Sequence, residues 1–192
     1  MATVHEGIGH RLRKFIEEQV VFFVGTAPLD GDGHVNISAK GTKGSLAVLD
    51  EHTVAYLDFT GSSAESIAHL RENGRITLMW CSFTAKPNVV RVHGRGETVF
   101  RDDPRWDGLI GYFPDVTGLP GARAIVVVHA ERVSDSCGYS VPFMEYRGER
   151  DLLVEYFGRR EEGFHADYVE RKNAVSIDGL PAMPVPLPPR SS

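Results

Sequence analysis

Cysteine is scarce in this sequence. Cys81 and Cys137 are the only two among 192 residues, and they form no CxxC pair. That excludes a disulfide scaffold and a thioredoxin-type motif, and it predicts a reducing, cytoplasmic setting. Long apolar runs are missing too, so no membrane span is expected, and no charged-then-apolar leader precedes the first helical pattern. Positive charge is not in excess. The formal net charge of −5 argues against general affinity for nucleic acid and against a basic membrane-facing patch. The eight histidines include no HxxxH or HxxH pair, so no metal site is expected. Neither the Rossmann G-x-G-x-x-G nor the Walker GxxxxGK[ST] occurs, which disfavours the two commonest nucleotide-binding architectures.

What remains has ordinary globular character, with 42% apolar and 24% charged residues. The pattern predicts one domain over residues 1–182: a barrel core over about 19–135 and a helical and extended elaboration over 136–182. A tail over 183–192 follows, since Pro181, Pro184, Pro186, Pro188 and Pro189 crowd the end of the chain. Residues 5–19 place Ile8, Leu12, Phe15 and Ile16 at helical spacing. A β-rich apolar run over 19–27 leads into Pro28-Leu-Asp-Gly-Asp-Gly33, a turn supplied with glycines. The returning strand over 34–39 sets Val35, Ile37 and Ala39 on one face and Asn36 and Ser38 on the other. Further strands are expected over 45–49, 53–59, 75–83, 89–100 and 124–133, and short helices after Asp103-Pro104, from Arg150 and around Tyr168. Six or seven strands with short connections and peripheral helices make a mainly β chain, best built as a small antiparallel, Greek-key-like barrel.

The stretch from Val54 to Trp80 carries the chemistry. It reads as strand, tight glycine-serine turn, short helix and strand, and a turn of small hydroxyl residues at a helix N-terminus can hold a phosphate on backbone N–H groups. Ser62 and Glu65 fit a capping box, Gly74 sits where a C-terminal glycine stops a helix, and Ile67 and Leu70 supply its buried face. Lys40, between a strand end and a glycine, is a candidate phosphate ligand, whereas Lys43 reads as a solvated turn lysine. Trp80 and Trp106 read as core or interface anchors, Cys81 as an inert buried thiol, and Cys137 as the more accessible one. His69, His93 and His129 read as hydrogen-bonded structural residues, and no Ser/His/Asp set is legible, so no catalytic side chain is assigned.

In element order over about the first 135 residues the chain resembles the pyridoxamine 5′-phosphate oxidase-like family of FMN-binding split β-barrels. Three pieces carry the resemblance: the hairpin from Phe22 through Ser38, the Thr60-Gly-Ser-Ser63 turn with its flanking strand and helix, and the Arg91-Val-His-Gly-Arg-Gly-Glu97 strand. The segments Cys137–Pro142 and Lys172–Pro181 are similar to a branch of the family other than the oxidase itself. The resemblance implies a homodimer with FMN in a groove between subunits, the phosphate meeting the second barrel strand and the turn that opens the helix. On the matching positions it assigns cofactor binding to Ser38, Lys40, Thr60, Ser62 and Ser63, with Trp80 and Cys81 on the neighbouring strand. The implied function is FMN-dependent redox chemistry on a small molecule, the isoalloxazine carrying the electrons.

Several positions depart from the oxidase pattern. Its turn carries adjacent basic residues that neutralise the phosphate, where this chain has Ser63, Ala64 and Glu65. A carboxylate there competes with a bound dianion for the positive helix end, leaving Lys40, Lys43 or Arg71 to supply the charge. The oxidase glutamine is Val89 here, and its closing segment for pyridoxal phosphate is absent, so pyridoxamine phosphate oxidation is not expected. Relatives of the fold use the deazaflavin F420 or bind haem, for which His69, His93, His129 or His165 would be the ligand. A non-catalytic cofactor carrier or interaction dimer is a third reading.

Overall fold

The computed structural model describes residues 2–161 and 163–184, so the proline-rich tail lies outside the described residues beyond Pro184. The chain forms β1 (Thr3–His5), α1 (His10–Glu18), β2 (Phe22–Thr26), β3 (Asn36–Lys40), β4 (Leu46–Val48), β5 (Thr53–Phe59), α2 (Glu65–Asn73), β6 (Arg75–Cys81), β7 (Val89–Val99), α3 (Trp106–Ile110), β8 (Ala122–Ser136), α4 (Leu152–Gly158) and α5 (Phe164–Asn173). All strands pair antiparallel in one curled sheet, in the order β3-β2-β6-β7-β8-β5-β4, with β1 added on β8. This is the mainly β split barrel with peripheral helices that the sequence predicts. Among the described residues the strand count is eight rather than six or seven, because β1 is only three residues long and Gly7 and Gly9 separate it from α1.

The central strands are buried on both faces. On β5 and β8 the runs Val54–Leu57 and Ile125–Val128 alternate between two cores. Val54, Tyr56, Val126 and Val128 join Ile8, Leu12, Ile16, Phe22 and Trp80 beneath α1, while Ala55, Leu57, Ile125 and Val127 join Trp106, Phe113 and Val116 around α3. A strand covered on both sides reads as a continuous apolar run, and these two do. The pairing of β7 with β8 slips at His93/Gly94, and the bulge requires glycine there: a Cβ on Gly94 would sit 1.9 Å from the His129 carbonyl oxygen. No described helix is long and apolar enough to cross a membrane.

One end of the sheet path, β3, meets β5 of the other half across the split. Lys40 at the end of β3 donates to Asp58 on β5 at 2.6 Å, an ion pair where no ladder hydrogen bonds run. The alternation on β3 is as the sequence predicts, with an informative outcome. Asn36, Ser38 and Lys40 face the split and α2, whereas Val35 and Ile37 are each 73% exposed on the outer face. Ile37 pairs with Gly25, and Ala39 with Phe23, which itself pairs with Met79, so the outside of this half of the sheet is apolar.

Candidate functional site

The helix after the turn begins later than a capping box requires. α2 starts at Glu65 with Ala64 at its N-cap and no side-chain cap bond, so the Ser62–Glu65 box does not form. Glu65 is buried and its Oε1 accepts the Ile177 N–H at 3.3 Å, tying a C-terminal segment to the first helical turn. Gly74 ends the helix in left-handed backbone (φ 71°), and Ile67 and Leu70 are buried, as the sequence predicts.

The turn is held from behind at three points. The Thr60 N–H donates to the Gly121 carbonyl at 2.7 Å, Asn173 Nδ2 donates to the Gly61 carbonyl at 3.0 Å, and Arg123 Nη2 donates to the Ser63 carbonyl at 2.9 Å. In a trans peptide the N–H points opposite to the C=O. The N–H groups of Ser62 and Ala64 are therefore directed away from Asn173 and Arg123, and Ser62 and Ser63 are exposed. The turn thus turns its carbonyls inward and offers donors outward, the polarity an anion needs.

Beneath it lies a buried ionic cluster. Asp58 is 2% exposed and accepts from both cations, Lys40 Nζ at 2.6 Å on Oδ1 and Arg123 Nε at 2.7 Å on Oδ2. Burial pushes the Asp58 carboxyl up, but the Arg123 and Lys40 charges and their hydrogen bonds outweigh it and hold the group at about 2. With Asp58 ionised against two cations, the cluster keeps one surplus positive charge. Two of its polar atoms have no partner among the described residues: Arg123 Nη1 and the hydroxyl of Tyr56, whose ring lies 5.9 Å from Lys40 Nζ. Burial, then the Asp58 charge, pushes the Tyr56 hydroxyl well above its ordinary range.

The sequence-assigned residues fall on different parts of this arrangement. Lys40 is in the cluster, and Ser62 and Ser63 are on the exposed lip. Ser38 is half-buried on β3, 3.4 Å from Asn36 Oδ1, and Asn36 in turn donates to Ser66 Oγ on α2 at 3.0 Å. Thr60 is fully buried, with its Oγ1 2.5 Å from His165 Nε2, so its hydroxyl points into the fold rather than to the lip. Of the other cations considered, Arg71 donates to the Ala182 carbonyl and Lys43 is exposed on its turn. Trp80 is a core anchor stacked on Phe22 with centroids 6.0 Å apart, and burial raises the Cys81 thiol.

Sequence reasoning missed Asp58, Arg123, Asn36 and Ser66. A signal for the first two was present: each is a lone charge in an apolar strand, of opposite sign, in Val54-Ala-Tyr-Leu-Asp58 and Arg123-Ala-Ile-Val-Val127. Two isolated opposite charges in neighbouring buried strands have little choice but to pair.

The histidines do not converge. His69 is fully buried with Nδ1 3.0 Å from Thr26 Oγ1, His93 is half-buried on β7, His129 faces Glu97, and His165 meets Thr60. Among the described residues no three His, Cys, Asp or Glu side chains gather as a metal site. Behind the turn a cleft of about 610 Å³ opens between the barrel and the C-terminal helices, lined by Arg101, Arg123, Phe157, Arg160, Phe164 and His165.

Comparison with known proteins decides the family. The sequence profile described as pyridoxamine 5′-phosphate oxidase matches residues 8–137, most of the chain. The chain belongs to the pyridoxamine 5′-phosphate oxidase family. It is 37% identical over 199 residues to ustO, a pyridoxamine 5′-phosphate oxidase family protein of Aspergillus flavus, a match covering 95% of this chain and 78% of ustO. Among solved structures, two of HupZ from Group A Streptococcus superpose with TM-scores of 0.54 and 0.53 at 19% and 21% identity. They cover 67% and 66% of this chain and 99% and 91% of the HupZ chains, a likeness of fold alone.

Proposed function

We propose that this family member is a flavoprotein that holds FMN with its phosphate at the Thr60–Ser63 turn and uses it for redox chemistry on a small molecule. Membership of the pyridoxamine 5′-phosphate oxidase family supports a flavin. The observation that carries the phosphate placement is the direction of the turn's peptides: Asn173 and Arg123 hold the Gly61 and Ser63 carbonyls, so the Ser62 and Ala64 N–H groups point away from them as free donors beside the exposed Ser62 and Ser63. The groups that would hold the phosphate are the outward N–H groups of the turn, the Ser62 and Ser63 hydroxyls and the surplus charge of the Lys40–Asp58–Arg123 cluster. Ser38, Asn36 and Ser66 would line the adjoining groove. A bound flavin supplies hydride or electron transfer, and the chain supplies position and hydrogen bonds.

The same reading includes a cytoplasmic homodimer. Its support is the apolar outer face of β3, β2 and β6, where Val35, Ile37, Phe23 and Met79 border a trough of about 550 Å³. Exposed apolar surface of this kind marks association. The test is the visible spectrum of the purified protein after incubation with FMN and gel filtration. A retained flavin band is the expected result; a colourless protein that takes up no added flavin refutes the reading.

A further inference from the structure

We propose that the cleft between the start of β8 and the helices α4 and α5 binds a small organic carboxylate, with its apolar body on Phe157 and Phe164 and its charge on Arg160. The cleft lies on the inner side of the Thr60–Ser63 turn, where His165 meets Thr60 and Arg123 holds the Ser63 carbonyl. It is therefore separate from the outward N–H groups, and the inference does not rest on the flavin reading.

The helical wall of the cleft is aromatic and holds itself in place. Phe157 near the end of α4 and Phe164 at the start of α5 both line it, with ring centroids 6.4 Å apart. Tyr168 packs against both rings, at 5.7 and 6.1 Å, so neither is free to collapse into the space. On the barrel side Phe157 is seated on Gly121, where a Cβ would come 3.0 Å from its Cδ2. About 610 Å³ remains between the walls. Sites that enclose a small organic molecule measure about 300–1,000 Å³ and are mostly apolar with a few convergent polar groups.

Arg160 supplies the polar contact. Its guanidinium lies over the Tyr156 and Phe164 rings, 4.8 and 4.9 Å from their centroids. A guanidinium stacked on ring faces keeps its N–H donors in its own plane, as the fork that matches a carboxylate. No carboxylate among the described residues pairs with it, whereas the neighbouring Arg159 is held at 3.0 Å by Glu155. Arg101 adds its charge from the opposite wall, where Nη2 donates to the Ala122 carbonyl at 3.0 Å. The balance of charge sets the ligand class. The chain carries −5 overall, yet the described residues lining the cleft include three arginines and a single carboxylate, Glu161. Asp58 takes up the Arg123 charge, which leaves Arg101 and Arg160 against Glu161, an excess of one positive charge. A carboxylate monoanion matches that excess, and a phosphate dianion exceeds it.

The experiment is calorimetric titration with 2-naphthoate and with 2-naphthalenemethanol, which replaces the carboxylate by a neutral hydroxymethyl group. It compares the wild type with Arg160→Ala, Arg159→Ala and Ala166→Trp, all at exposed positions. The wild type is expected to bind naphthoate about tenfold more tightly than the alcohol, the worth of one charge-assisted contact. Arg160→Ala is expected to lose that tenfold for naphthoate while the alcohol stays within about twofold. Arg159→Ala, which removes the same charge one residue away from the cleft lining, is expected to match the wild type. Ala166→Trp fills the cleft and is expected to weaken both probes at least about tenfold. Naphthoate binding is expected to be the same with and without saturating FMN. The proposal is overturned by a wild type that does not bind naphthoate at millimolar concentration, or binds both probes equally. It is also overturned if Arg159→Ala shows the loss expected of Arg160→Ala, or if Ala166→Trp binds as the wild type does. Displacement of naphthoate by FMN would make the cleft the flavin's own pocket and overturn it as a separate site.

Discussion

Replacing Asp58 by asparagine tests the buried cluster most directly. The side chain keeps its shape and one acceptor but loses the charge that two cations share, and its new NH2 group faces one of them. Lys40 retains 21% side-chain exposure and can turn to water, whereas Arg123 retains 4% and cannot, so the cost falls on Arg123. Two routes give its size. The carboxyl is lowered from 3.8 to about 2, which corresponds to about 2 kcal/mol of preference for the ionised form. Removing one partner of a buried ion pair costs about 3–5 kcal/mol, the upper figure for a charge left wholly dry. We therefore expect Asp58→Asn to lower unfolding stability by about 2–4 kcal/mol at pH 7, read as a drop in urea midpoint at unchanged m-value. The pH dependence has a definite sign. Because the folded pKa lies below the unfolded one, the contribution is complete above about pH 4 and is lost as pH falls toward 2. The gap between wild type and variant should narrow over that window. Adding Arg123→Met, which removes the stranded charge, should recover part of the loss. A variant within about 0.5 kcal/mol of wild type at pH 7, or a gap that is flat down to pH 2, would refute the account of Asp58 as the anchor.

Two further substitutions follow from individual atoms. Tyr56→Phe removes a buried hydroxyl with no partner among the described residues, so stability should hold or rise by up to about 1 kcal/mol in urea melts; a loss of more than about 1 kcal/mol would mean the hydroxyl is satisfied. Ser62→Ala separates the two readings of the turn. A capping box predicts a loss of about 1 kcal/mol, whereas the observed start at Glu65 with no side-chain cap predicts a change within about 0.5 kcal/mol.

Strand periodicity made most of the fold legible. The stretches over 75–83 and 124–133 each named a strand, and Gly74 named a helix end, because these signals are local. What was not legible depended on contacts distant in sequence. β1 exists only because Thr3–His5 pairs with Val133–Asp135, and three residues carry no period of their own. The capping box failed for a similar reason: Ser62 and Glu65 have the right spacing, but Asn173 and Arg123 hold the turn open and Ile177 takes the carboxylate. Lys40 was legible as a residue beside the site from the strand and the glycine that follows it. Its engagement with Asp58, and the contact of Arg123 with both Asp58 and the turn, arise from the meeting of β3, β5 and β8.

The acidic residue at the turn and the buried arginine belong to one arrangement. A turn that carries its own cations needs nothing beneath it, and its first helical residue is free to be basic. Here the cation beneath the turn is Arg123 on β8, and a guanidinium in that dry position requires Asp58, which in turn leaves a net charge only because Lys40 shares it. That frees the first residue of α2 to be Glu65, and the chain uses it to secure Ile177, while Asn173 secures Gly61 and Arg71 secures Ala182. The C-terminal segment is thereby fastened to the same helix and turn at three points along Asn173–Ala182, two of them beside the proposed phosphate site. The carboxylate that would repel a phosphate at the helix end is thus also one of the three groups that hold the C-terminal segment in place, so removing it alone would trade a contact of that segment for a less negative turn.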